Sequence, residues 1–178
     1  MSAQDVLGQV VVREARPEDD EVVGELLVEA FISQYAKKFP ELVYTEERKR
    51  ELRDVAARRK VATVMVAELN GEVVGTVALF PPGAPGSEAW LPNAADLRGL
   101  ATSVKMHGKG LGRPLLDAAE NLARSWGVEA ICLHVRLGVE GVARMYMNRG
   151  YLREPAGDMV LPSVSLEAYV MPLKGSTP

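Results

Sequence analysis

The stretch that most constrains this chain is residues 61–80, where VATVMVAEL meets EVVGTVALF across the pair Asn70-Gly71. The two valine-rich runs read as β-strands, and a two-residue Asn-Gly link between such runs is the strongest short-range signal of a β-hairpin with a type I′ turn. That turn needs positive φ at both central residues, which asparagine tolerates and glycine adopts freely. The middle of the chain is thereby committed to antiparallel sheet.

Upstream, QVVVRE (9–14) reads as a short strand. Pro17 then opens a helix whose first turn holds Glu18, Asp19 and Asp20, where the helix dipole favours acidic groups. Val22, Val23, Leu26, Leu27, Ala30 and Phe31 repeat at the helical period. Pro40 breaks the pattern, and Thr45 is the expected N-cap of a second helix reaching about Arg59. Its run EERKRELRD alternates in sign and reads as a solvated surface or a basic interaction face.

Downstream, a Pro-, Gly-, Ser- and Asn-rich loop covers 81–95, and a strand follows near 96–102 (DLRGLAT). After a glycine-rich turn, a helix is expected from Leu111 to Trp126, with Leu111, Leu115, Ala119, Leu122, Ala123 and Trp126 as its buried stripe. AICLHVR (130–136) has the continuous apolar character of a central strand. A short helix over 139–149 should stop at Gly150, and DMVL and LEAYVMPL read as closing strands. The order β-α-α-β-β-β-α-β-α-β-β describes an α/β fold with a mixed central sheet flanked by helices.

Composition bounds the rest. At 178 residues the chain is expected to form one domain over 1–178, with frayed tails at about 1–8 and 175–178. Its 47% apolar and 25% charged residues fit a globular protein that needs no covalent staple. A single cysteine, Cys132, excludes an internal disulfide and a multi-cysteine zinc site, and two distant histidines speak against a His-rich one. A net charge of -3 gives no reason to expect nucleic acid, and no apolar run approaches the roughly 18 residues of a membrane span. The first residues lack the basic start of a secretion signal, so the expected location is cytoplasmic.

The chemical feature is His107-Gly108-Lys109-Gly110-Leu111-Gly112-Arg113, set between a strand and an amphipathic helix. Its glycines let the backbone approach a bulky ligand, and a helix N-terminus directs unpaired N–H groups and positive dipole at the same spot. Lys109 and Arg113 add charge, and Pro114 in the first helical turn loses little by lacking an N–H. Taken alone, the segment is either a phosphate cradle or a tight turn whose glycines serve packing. GxxxxGK[ST] is absent, and GxGxxG fails because Arg113 stands where its last glycine belongs.

The segment resembles the acetyl-coenzyme A loop of the GNAT superfamily of N-acetyltransferases, Gln/Arg-x-x-Gly-x-Gly/Ala. Gly110, Leu111 and Gly112 match, while His107 replaces Gln/Arg. The resemblance covers nearly the whole chain: ARPEDDEVVGELLVEAF is similar to the family's first helix, AELNGEVVGTVAL to its hairpin, and ADLRGLATSVKMHGKGLGRPLL to its coenzyme segment. GVARMYMNRGYLREP is similar to its late LYxxxGF segment.

This resemblance implies an acyltransferase, an N-acetyltransferase that uses acetyl-coenzyme A as co-substrate and no metal. Backbone groups of Leu100, Ala101 and Thr102 would hold the pantetheine arm, and an amide near Thr102 would face the acetyl carbonyl. Gly108, Lys109, Gly110, Leu111, Gly112 and Arg113 would bind the pyrophosphate. Tyr146 matches the family's general acid, a phenol protonated at neutral pH that can protonate the leaving thiolate. Read without the family, Tyr146 is an aromatic on the stripe Val139, Val142, Ala143, Tyr146. Asp96 stands where many relatives carry an acid able to take the ammonium proton, directly or through water; otherwise it is a strand-start carboxylate. Glu88 and His134 are lesser candidates for that base, Tyr151 is a core or hinge aromatic, and Cys132 is expected to be buried and inert. Phe31, Tyr35, Tyr44 and Trp90 line an acceptor pocket or simply pack. The implied partner is a small-molecule or peptide amine, and a homodimer is compatible with the family. The alternative function is a non-catalytic acyl-coenzyme A sensor, which would need no acid and base.

Overall fold

A computed structural model describes residues 2–41 and 43–173. The N-terminus, expected to fray over 1–8, instead holds a short helix, α1 (Ala3–Leu7). A reciprocal capping box secures it: Ser2 Oγ accepts the Asp5 N–H at 3.1 Å and Asp5 Oδ2 accepts the Ser2 N–H at 2.8 Å. The tail at 175–178 lies outside the described residues.

Strand β1 (Val11–Glu14) leads to a 3₁₀ turn at Pro17–Asp19 and then α2 (Asp20–Val28). The helical path widens to a π-helix over Glu29–Ser33 and closes as α3 (Gln34–Lys38). Thr45 is the N-cap it was expected to be, its Oγ1 accepting the Arg48 N–H at 3.1 Å. The helix it starts, α4 (Glu46–Arg53), ends earlier than its pattern suggests. Asp54 leaves helical geometry and caps a new helix, α5 (Val55–Val61), by accepting the Ala57 N–H at 3.2 Å. A short side chain that bonds its own backbone competes with helix continuation, and here it wins.

The hairpin joins β2 (Thr63–Leu69) and β3 (Glu72–Phe80), and its turn has Asn70 at φ 51° and Gly71 at φ 79°, as type I′ requires. After the loop come β4 (Ala94–Thr102), α6 (Gly112–Ser125), β5 (Ala130–Arg136) and α7 (Glu140–Arg149). Gly150 ends α7 in the left-handed conformation, φ 109°. The chain finishes with β6 (Leu152–Arg153), β7 (Met159–Val160) and β8 (Ser165–Pro172). The two-residue β6 is too short to leave a period in sequence; it exists through its pairing of Leu152 with Val170 and Arg153 with Tyr169.

The strands form one sheet in the order β1-β2-β3-β4-β5-β8-β6, with β7 also on β8. β4 and β5 run parallel and pair over Ala94–Asp96 and Ala130–Cys132, while β5 and β8 are antiparallel along all of β5. The mixed α/β sheet expected from the sequence is therefore the architecture. No described helix is long and apolar enough to cross a membrane.

Within this chain two compact units are distinguished, residues 1–78 with 99–119 and residues 79–98 with 120–178. In the first, α6 lies close on β3: a Cβ at Gly75 would fall 2.9 Å from Leu115 Cδ1 and 3.3 Å from Leu111 Cδ2. That contact seats the start of α6, and with it the glycine turn, on β3, and Leu111 and Leu115 are both buried there. In the second unit, Ala94, Ala130, Cys132 and Val170 form a buried cluster with Trp90 packed on it.

Candidate active site

The glycine turn belongs to the first unit. Ser103 at the end of β4 donates its N–H to Val74 O at 2.8 Å, and a 3₁₀ turn, Val104–Met106, follows. Gly108 and Gly110 both take φ 79°, which a side chain strongly disfavours. A Cβ on Gly108 would meet nothing within 4 Å, so the backbone there faces open space. Leu111 is buried at 2% exposure and ties the turn to the core, which leaves only its backbone to face outward. Two of the expected amide donors are already engaged: Lys109 N–H bonds Met106 O and Arg113 N–H bonds Gly110 O, both at 3.2 Å. In the first turn of the 14-residue α6 the Arg113 N–H is thus taken and Pro114 has none, so the donor at the very start of the helix is the Gly112 N–H. Leu100, Ala101 and Thr102 form the last residues of β4, with Ala101 buried.

Such a turn fits a pyrophosphate: bare backbone, a helix N-terminus, and the side chains of Lys109 and Arg113 nearby in sequence. A family model described as the acetyltransferase (GNAT) family matches residues 18–151.

The chain belongs to that family.

GNAT acetyltransferases carry out acyl transfer from acetyl-coenzyme A. Solved structures with the same fold include a GNAT acetyltransferase of Staphylococcus aureus Mu50, with TM-score 0.73 and 16% identity over 93% of this chain and 99% of that one. The PaiA N-acetyltransferase of Thermoplasma acidophilum, solved with coenzyme A, gives TM-score 0.65 and 20% identity over 89% and 97%. YncA of Salmonella typhimurium, solved with acetyl-CoA, gives 0.65 and 18% over 96% and 97%. Among curated proteins none matches in sequence.

The acid and base expected for a GNAT acetyltransferase lie in the second unit. Tyr146, on α7, is buried at 5% exposure, and its ring meets Tyr151 edge to face, with centroids 5.3 Å apart and planes at 71°. Asp96, on β4, is 1% exposed. Its Oδ2 accepts the Glu88 N–H at 2.7 Å and the Arg98 Nε–H at 2.8 Å. Its Oδ1 is buried with no hydrogen-bond partner among the described residues. Burial pushes the Asp96 carboxyl above its usual range, and the Arg98 charge and the Glu88 N–H oppose that rise.

The lesser candidates are committed elsewhere. Glu88 pairs with Arg98 Nη2 at 2.8 Å, and Arg98 also donates to Gly86 O and lies over the Phe80 ring. His134 Nε2 lies 2.8 Å from Gly157 O, and since a carbonyl only accepts, that nitrogen carries the proton. Cys132 is fully buried, with its thiol pushed up by desolvation. Trp90 packs edge to face on His134 at 5.2 Å, while Phe31, in the π-helix, and Tyr35, in α3, meet edge to face at 5.8 Å. Among the described residues no cluster of three or more His, Cys, Asp or Glu is placed to hold a metal ion.

Sequence reasoning missed the groups around the tyrosines. Glu120, at 5% exposure, accepts hydrogen bonds from Nε and Nη2 of Arg149 and from the hydroxyl of Tyr151. A signal was present: Glu120 sits four residues after Leu116 and three before Ala123, a charge inside an apolar helical stripe.

Proposed function

We propose that this chain transfers the acetyl group of acetyl-coenzyme A directly to a primary amine of a small molecule or peptide. The observation that carries the reading is the turn before α6, where Gly108 and Gly110 hold left-handed geometry with open space at Gly108. Membership of the GNAT family supports it.

In this reading the pantetheine arm lies along Leu100, Ala101 and Thr102, and an amide near Thr102 stabilises the oxyanion of the tetrahedral intermediate. The pyrophosphate is held by backbone N–H groups of Gly108, Gly110, Leu111 and Gly112, with charge from Lys109 and Arg113. The acceptor arrives as an ammonium ion and gives a proton to Asp96, directly or through water. Oδ1 is the atom for that role, because Oδ2 is occupied by Arg98 and Glu88. The freed amine attacks the thioester carbonyl, a C–N bond forms and the C–S bond breaks. Two protons leave nitrogen in all: one passes through Asp96 to solvent, and the other replaces the proton that Tyr146 gives to the thiolate.

Thiol release from acetyl-coenzyme A, measured with pooled amines, amino acids, aminoglycosides and peptide N-termini, tests this. Amine-dependent release is expected. Coenzyme binding without release under any pool would leave the sensor as the function. Coenzyme A should also raise the melting temperature, by ligand linkage worth about 2.7 kcal/mol at a hundredfold excess over Kd. Gly110→Val, which forces a side chain into left-handed backbone, should remove that shift while the protein remains folded. A Gly110→Val protein that binds normally would refute the cradle.

A further inference from the structure

We infer that Glu120, Arg149 and Tyr151 act as positioning residues for the Tyr146 ring, an inference that rests on Tyr146 being the acid proposed above. Tyr146 lies on a ten-residue helix, and an isolated helix of that length is marginal in water. Its orientation must come from tertiary ties, and three converge on it.

The first fixes the helix. Arg149 is three residues beyond Tyr146, and its Nε and Nη2 donate to the two oxygens of Glu120 at 3.0 and 2.9 Å. Such a bidentate pair constrains direction as well as distance, so it limits how α7 can roll. The second fixes the backbone: the Tyr151 N–H donates to Tyr146 O at 3.1 Å across the Gly150 cap. The third fixes the ring. Tyr151 is 1% exposed, its edge-to-face contact confines the Tyr146 ring plane, and its own hydroxyl donates to Glu120 Oε2 at 3.2 Å.

Packing alone does not call for this chemistry. A phenylalanine at 151 would supply the same ring, and an apolar residue at 120 would bury at lower desolvation cost. The Tyr151 hydroxyl finds its bond at Glu120, and Glu120 joins the tyrosine to the arginine of the acid's own helix. Burial and the Glu120 charge push the Tyr151 phenol far up, so it stays a donor throughout the working pH range.

Glu120→Ala would strand the Arg149 charge and risk unfolding, so the test uses Tyr151→Phe, which deletes one oxygen. With acetyl-coenzyme A and the pooled amines, kcat is expected to fall about tenfold, within the roughly 10²-fold that misplacing a reacting group can cost. The KM for acetyl-coenzyme A should stay within about twofold. Added to Tyr146→Phe, the change should cost nothing further, because the group it positions is gone. No loss, or an equal loss in both backgrounds, would overturn the inference. A second readout is independent of turnover: 3-fluorotyrosine placed at the five tyrosines, with the Tyr146 fluorine resonance assigned by its loss in Tyr146→Phe. One narrow resonance is expected in the parent, and a broadened or doubled one in Tyr151→Phe and Glu120→Gln. An unchanged resonance would overturn the positioning role. If Tyr146→Phe itself leaves kcat unaltered, the acid reading fails while the fluorine signal still decides the positioning.

Discussion

Asp19, in the first unit, and Asp96, in the second, are both buried and both bonded to an arginine, yet their surroundings move them in opposite directions. Asp19 has both oxygens in use. Arg13 Nη1 and Nη2 donate to them at 2.7 and 3.1 Å, and the Arg16 N–H adds a bond at 2.7 Å. The hydrogen bonds from Arg13 dominate and hold its carboxyl below the usual range. Asp96 has one oxygen engaged and one buried without a partner among the described residues, so desolvation dominates and its carboxyl rises. A carboxylate with both oxygens answered serves to hold β1 to the turn that opens α2. One left partly unanswered is costly to keep ionised, and that cost makes it suited to accepting a proton.

The comparison can be broken first by activity. Asp96→Asn should lower turnover by about 10²–10⁴-fold near neutral pH, the usual worth of a general base. The loss should shrink as pH rises and the amine deprotonates unaided. Asp19→Asn should leave turnover unchanged across the same profile. A raised amine KM with normal kcat in Asp96→Asn would mean that Asp96 binds the substrate's charge instead of taking its proton.

A smaller effect is expected in the stability of Asp19→Asn. Replacing the carboxylate removes charge-assisted bonds worth about 1–3 kcal/mol at neutral pH. Because Asp19 is lowered on folding, its contribution is present above the ordinary value of 3.8 and is lost as pH falls through the lower folded value. Urea melts at neutral pH and near pH 2 should therefore show a gap that closes in acid.

The smallest effect is that of Asp96→Asn on stability, and it has the opposite sign. A raised carboxyl contributes most below 3.8 and loses that contribution as pH rises through its folded value. At neutral pH the variant should melt no lower than the parent, since Arg98 keeps Glu88 at 2.8 Å. Any advantage should fade as pH falls toward about 4. A variant that melts well below the parent at neutral pH would show that the Asp96 ion pair is a net stabiliser, and the contrast with Asp19 would fail.

Legibility in the sequence followed the range of the interaction. The Asn70-Gly71 turn, the Thr45 cap, the Gly150 stop and the positive-φ glycines at 108 and 110 depend on local backbone preference, so residue type and spacing determined them. The apolar periods determined most of the strands and helices for the same reason, but not the π-helical stretch at Glu29–Ser33 or the break at Asp54, where a side chain's bond to its own backbone outweighed the charged helical run. The capped N-terminal helix was a local signal too, in Ser2 and Asp5, but one overlooked beside the weak apolar pattern there. Tertiary structure alone decided β6, which exists only as a pairing on β8, and the state of each buried ion. Whether Asp19 is answered by Arg13, whether Asp96 keeps an oxygen bare, and whether Glu120 gathers Arg149 and Tyr151 depends on residues distant in sequence. Charge and hydrogen bonding act through space over a few ångströms, and only the folded chain determines which groups come within that distance.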